Sequence, residues 1–106
     1  MWGEAALNTN VVTASLYGVQ WNKCARTCVV YVNIKININT NRQIVLLASG
    51  IPAATFGYEP RGIVTDVDTG RAFALKVTDR VNLSIYTGDS APYQGVVTGF
   101  VVYVCN

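Results

Sequence analysis

The segment from Val29 to Asn39 constrains this chain more than any other. Val30, Val32, Ile34, Ile36 and Ile38 are apolar, and Asn33, Lys35, Asn37 and Asn39 between them are polar. A strand sends successive side chains to opposite faces, so this order buries one face and wets the other. A helix, with its period of about 3.6 residues, would scatter the same residues around its circumference. The chain must therefore supply further strands to pair with this one and a core to cover its apolar face. Its composition agrees: 16 Val, 7 Ile and 10 Thr stand against 6 Leu, and β-branched side chains favour the extended backbone.

Turn residues divide the rest of the chain into short extended runs. Val11–Tyr17 and Val19–Lys23 precede the alternating segment, and Gln43–Ala48 follows a polar turn at Thr40-Asn41-Arg42. Gly62–Asp66, Arg71–Thr78 and Val81–Tyr86 come next, separated by Asp68-Thr69-Gly70 and by Asp79-Arg80. In the first of these turns Asp68 is expected as the cap, with glycine supplying the positive φ. Gly95–Cys105 is apolar on both faces, with Val96, Phe100, Val102 and Val104 on one and Val97, Val101 and Tyr103 on the other. Such a strand is either central in a sandwich or has one face against another subunit. About seven or eight short strands at this spacing predict an all-β, antiparallel β-sandwich of jelly-roll-like form. The head domain is expected over residues 11–106, with residues 1–10 as a loose lead-in or the stub of a connector.

Several functional classes fall away. The net charge is +2 and cationic residues are not clustered, so there is no basic footprint for a nucleic-acid backbone. No apolar run approaches the ~18 residues of a membrane-spanning helix, and the first ten residues do not have the make-up of a signal peptide. The chain contains no histidine, which removes the Ser-His and Cys-His pairs and most catalytic zinc sites. No cofactor is expected, nor any enzymatic activity.

Three cysteines, Cys24, Cys28 and Cys105, fit neither a repeated zinc knuckle nor a secreted disulfide framework. Three free thiols are one reading. A Cys24–Cys28 disulfide is another, if Ala25-Arg26-Thr27 forms a three-residue loop and the two cysteines face each other. Pairing of Cys105 between chains is a third.

The order of elements also carries a resemblance. Trp21-Asn22-Lys23 and a hairpin lead into Cys28-Val29-Val30-Tyr31-Val32-Asn33-Ile34, then Leu47-Ala48-Ser49-Gly50-Ile51-Pro52 and Gly62-Ile63-Val64. Thr69-Gly70-Arg71-Ala72-Phe73 and Val81-Asn82-Leu83-Ser84-Ile85-Tyr86 follow, and Gly99-Phe100-Val101-Val102-Tyr103 closes the pattern. Over roughly residues 19–104 the chain resembles the C-terminal head domains of bacteriophage tail and baseplate proteins, receptor-binding proteins among them. The resemblance implies a β-sandwich head, a homotrimer about a fibre axis, binding of a host surface saccharide, and a place in the virion after synthesis in the bacterial cytoplasm. A bacterial β-sandwich module for carbohydrate binding or assembly is the alternative.

Two loops hold the groups a saccharide would use, aromatic faces and planar hydrogen-bonding groups on a rigid scaffold. The first contains Phe56, Tyr58, Glu59 and Arg61; the second contains Asp89, Ser90 and Tyr93. Tyr58, Arg61, Asp89 and Tyr93 are the ligand-binding candidates. Trp21 is read as core or interface. Asp68-Thr69-Gly70 also has the triplet of aspartic proteases, which leaves a dimeric protease using Asp68 as a remote alternative to an ordinary turn.

Overall fold

The computed structural model describes residues 1–39, 44–55, 59–88 and 92–106. Among them there is no helix; they form nine strands. These are β1 (Trp2–Glu4), β2 (Ala6–Leu7), β3 (Val12–Cys24), β4 (Thr27–Ile38), β5 (Ile44–Ser49), β6 (Arg61–Asp66), β7 (Ala72–Thr78), β8 (Asn82–Tyr86) and β9 (Tyr93–Val104). The all-β, antiparallel class is as expected. Nine strands stand in place of about seven or eight, because residues 1–10 supply two of them, and in place of two facing sheets all nine join one sheet in the order β1-β3-β4-β9-β6-β7-β8-β5-β2.

That sheet curls into a nearly closed barrel, and the N-terminal segment makes the seam. Residues 1–10, expected as a loose lead-in, contain β1 and β2. Trp2, Gly3 and Glu4 pair with Asn22, Trp21 and Gln20 of β3, whereas Ala6 and Leu7 pair with Ser49 and Ala48 of β5. Only Ala5 separates them, its N–H donating to Val19 O. The two ends of the sheet are thus successive pieces of one short segment. Residues 8–12 continue the seam: Asn8 N–H donates to Leu47 O, and Asn37 N–H to Val11 O.

Within the sheet, β6, β7 and β8 are joined by hairpins. β9 returns to lie beside β6, and β5 lies on the far side beside β8. Either flank completes a Greek key. The molecule is 37 Å in its longest dimension, close to the reach of the twelve-residue strands β4 and β9.

The alternation seen in the sequence is the alternation of burial. Val30, Val32, Ile34, Ile36 and Ile38 of β4 are buried. Phe73, Leu75 and Val77 of β7 face them across the interior with Leu83 and Ile85 of β8 and Val97, Val101 and Tyr103 of β9. In β5 both Leu47 and Ala48 are buried, because a register shift between Leu46 and Ala48 turns the strand. The two runs expected before Cys24 are one strand, β3, interrupted by register shifts between Val12 and Gly18. There Leu16 takes φ 43° and Gly18 φ 75°.

One turn differs from the expectation by a single residue, with a large effect. Cys24 pairs with Thr27 and Lys23 with Cys28, so the loop is Ala25-Arg26, two residues long. A shift of one position exchanges the faces of a strand. Cys24 and Cys28 consequently lie on opposite faces, one exposed and one buried, and all three cysteines are free thiols. This corrects the Cys24–Cys28 disulfide reading. Burial, the largest influence, pushes the Cys28 thiol above its usual range.

Candidate functional site

Exposed apolar side chains gather on one part of the barrel wall. Tyr31 of β4 lies opposite Phe100 of β9, and Phe100 lies opposite Ile63 of β6. The three form a row across three adjacent strands, all pointing outward and all substantially exposed. Trp2 extends the row from β1, stacking on Tyr31 with ring centroids 5.8 Å apart and planes 23° from parallel. Val102 and Val104 continue along the same face of β9, and each is about half exposed at 51% and 46%. Val102 faces Val29 of β4. Directly opposed positions on neighbouring strands stand close enough for these side chains to touch, so they make one patch rather than isolated exposures. Contiguous exposed apolar patches of this kind mark interaction surfaces.

The backbone beneath the row is unusually close. A Cβ at Gly99 would collide with the Ile63 carbonyl oxygen, and one at Gly62 would meet the Phe100 carbonyl oxygen and, at 2.8 Å, Val101 Cβ. The two glycines therefore seat Ile63 and Phe100 on a closely paired β6–β9 floor. Arg61, one of the four ligand candidates, is exposed at the start of β6 opposite Lys76. It lies at the rim of the patch and shares a shallow groove with Ile63, Phe100 and Val102.

The other candidates fall elsewhere. Tyr58 and Asp89, with Phe56 and Ser90, lie outside the described residues. Tyr93 is 8% exposed and belongs to the core at the start of β9, so its ring is not offered to solvent. Its hydroxyl donates to Asp66 Oδ2, and its ring packs on Phe73 at 4.7 Å between centroids. Arg61 stands beside the C-terminal half of β9, and Tyr93 begins that strand. At ~3.3 Å per residue the two are separated by roughly 30 Å, at opposite ends of the barrel. The structure does not bring them into one site.

Asp66 caps the β6–β7 turn, the role expected of Asp68. Its Oδ1 accepts the N–H groups of Asp68 at 2.8 Å and Thr69 at 3.0 Å, and its carbonyl accepts from Gly70 N–H. The Tyr93 hydroxyl first, then the Thr69 and Asp68 N–H groups, hold its carboxyl below the usual carboxylate range. Asp68 itself is exposed in the turn. Trp21, expected in core or interface, packs partly buried against the core, with Gly3 lying on its ring.

Sequence reading missed Trp2, Tyr31 and Ile63 as surface features. Tyr31 carried a signal: with Val29 it occupies the otherwise polar phase of the β4 alternation. Ile63 was visible as an apolar neighbour to Val64, where a half-buried strand needs only one of the two. Trp2 carried none, because its position depends on the pairing of β1 with β3.

Among the described residues no group of three or more His, Cys, Asp or Glu side chains is placed to hold a metal ion. Comparison of the chain with family models, curated proteins and solved structures finds no match.

Proposed function

We propose that the protein is a non-enzymatic assembly and attachment module, a homotrimeric phage-tail head that self-associates through the outer face of β4, β9 and β6 and presents a site for a host surface saccharide. The observation that carries the assembly reading is the row Trp2–Tyr31–Phe100–Ile63, continued by Val102 and Val104. An apolar centre rich in aromatic side chains, with cationic groups only at its rim, is the composition of a protein interface. It also accounts for the two-faced final strand: one face fills the barrel and the other has no cover among the described residues. The resemblance over residues 19–104 supports the trimer and the saccharide, and the Greek keys support the jelly-roll-like form of such a head.

The test is the absolute mass in solution by light scattering, for the wild type and for Phe100→Lys. Both are expected to fold, because Phe100 is 57% exposed. The wild type should have a mass near three times the 11.5 kDa chain, unchanged by reductant because the thiols are free. The variant should be monomeric. A monomeric wild type, or a trimer indifferent to the substitution, overturns the assembly reading.

A further inference from the structure

The apolar row does not stop at β6. Residues directly paired across a sheet share a face, so the register carries the row further round the barrel. Ile63 pairs with Ala74 of β7, Ala74 with Tyr86 of β8, and Tyr86 with Ile44 of β5. Phe73 and Leu75 on either side of Ala74 are buried, as are Ile85 beside Tyr86 and Val45 beside Ile44. Ala74, Tyr86 and Ile44 therefore face outward, and the last two are exposed. Leu46, two residues along β5, is exposed as well. In the other direction Tyr31 pairs with Gln20 of β3, and Gln20 with Glu4 of β1. One line of paired residues thus runs from Glu4 to Ile44 and crosses every strand but β2. From Tyr31 to Ile44 it carries only apolar and aromatic side chains.

The two halves of this belt differ in charge. Glu4 is exposed at the β1 end, beyond Tyr31. On the other half, two residues along from Ile63 and Ala74, Arg61 stands directly opposite Lys76. The Lys76 ammonium is held 4.9 Å from the centroid of the Tyr86 ring. Like charges directly opposed across two strands repel, and a carboxylate brought by another chain relieves that repulsion.

Symmetry supplies the remaining step. Only a two-fold axis brings a patch onto the same patch of another copy. A closed ring of three joins one patch of each copy to a different patch of the next. We infer that the β7–β8–β5 half of the belt, with Tyr86, Ile44 and Leu46, is that second patch. It receives the Trp2–Tyr31–Phe100 half of a neighbouring copy, whose Glu4 faces Lys76 and Arg61. Ile63 and Ala74, in the middle of the belt, then lie toward the three-fold axis. This rests on the trimer reading and deepens it, because it names the surface on which the apolar row docks.

The experiment measures solution mass by light scattering for the wild type, for Phe100→Lys, for Ile44→Lys and for an equimolar mixture of the two variants. Circular dichroism verifies the fold of each, and Leu46→Lys replaces Ile44→Lys if that chain is unfolded. The wild type should have the mass of three chains and each variant alone the mass of one. Phe100→Lys keeps the second patch intact and Ile44→Lys keeps the first, so the mixture should gain one good contact and stop at two chains. A folded Ile44→Lys or Leu46→Lys that stays trimeric, or a mixture that stays at one chain, overturns the second patch while a monomeric Phe100→Lys leaves the assembly reading standing. A wild-type mass of one or two chains overturns both.

Discussion

Asp66 and Tyr93 form a buried polar contact that a change of pH breaks from either side. The Asp66 carboxyl is held low, so acid protonates the unfolded chain before the folded one. Stability is therefore full above the ordinary aspartate value of about 3.9 and is lost as pH falls through the lower folded value. Burial first, and then Asp66, push the Tyr93 phenol above its ordinary range. On the alkaline side stability is full below about 10 and is lost as pH rises. Asp66→Asn should lower the melting temperature at neutral pH and flatten its fall in acid; Tyr93→Phe should flatten the fall in alkali. Thermal melts followed by circular dichroism across pH check both, and parallel wild-type and variant curves would sink the assignment. The Asp66–Tyr93 pair was not legible in the sequence, because its partners are 27 residues apart and meet only when β6 and β9 pair. Tyr93 was thus read from local polarity as a loop residue.

At the scale of the element, the β3–β4 hairpin is built around an alanine at φ 54°, a left-handed conformation in which a side chain costs roughly 1–2 kcal/mol. Ala25→Gly should stabilise the protein by up to about 1 kcal/mol, part of the relief being offset by the freer unfolded chain. A denaturant midpoint that falls instead would show that the turn is not under this strain. Hairpin strands were readable wherever period two was sustained, as in β4, β7 and β8, since that signal is local. The turn register was not readable: two- and three-residue loops both fit Cys24–Cys28, and only the pairing with the whole of β4 decides between them. The apolar outer face was half legible. Both faces of β9 were assigned correctly from alternation, but the contribution of neighbouring strands required the strand order.

For the whole molecule, the decisive element is the one with the weakest local signal. β1 and β2 together hold five paired residues, too few to be recognised as strands, yet they occupy the free edges of β3 and β5. Open edges offer unpaired N–H and C=O groups to other chains. Deletion of residues 1–7 should convert a protein of fixed solution mass into material whose scattering grows with concentration and time. A truncated protein that stays at the wild-type mass would show that the seam is dispensable.

The seam also fixes which way the molecule points. The Met1 amino group donates to Lys23 O at 2.9 Å, and Lys23 Nζ donates to Asn106 O. Both ends of these 106 residues therefore emerge at one pole, beside the β3–β4 hairpin. The Asp66 turn and the start of β9 belong to the other. Anything tethered at either terminus leaves from the same side, and the opposite pole is held out toward whatever the molecule meets.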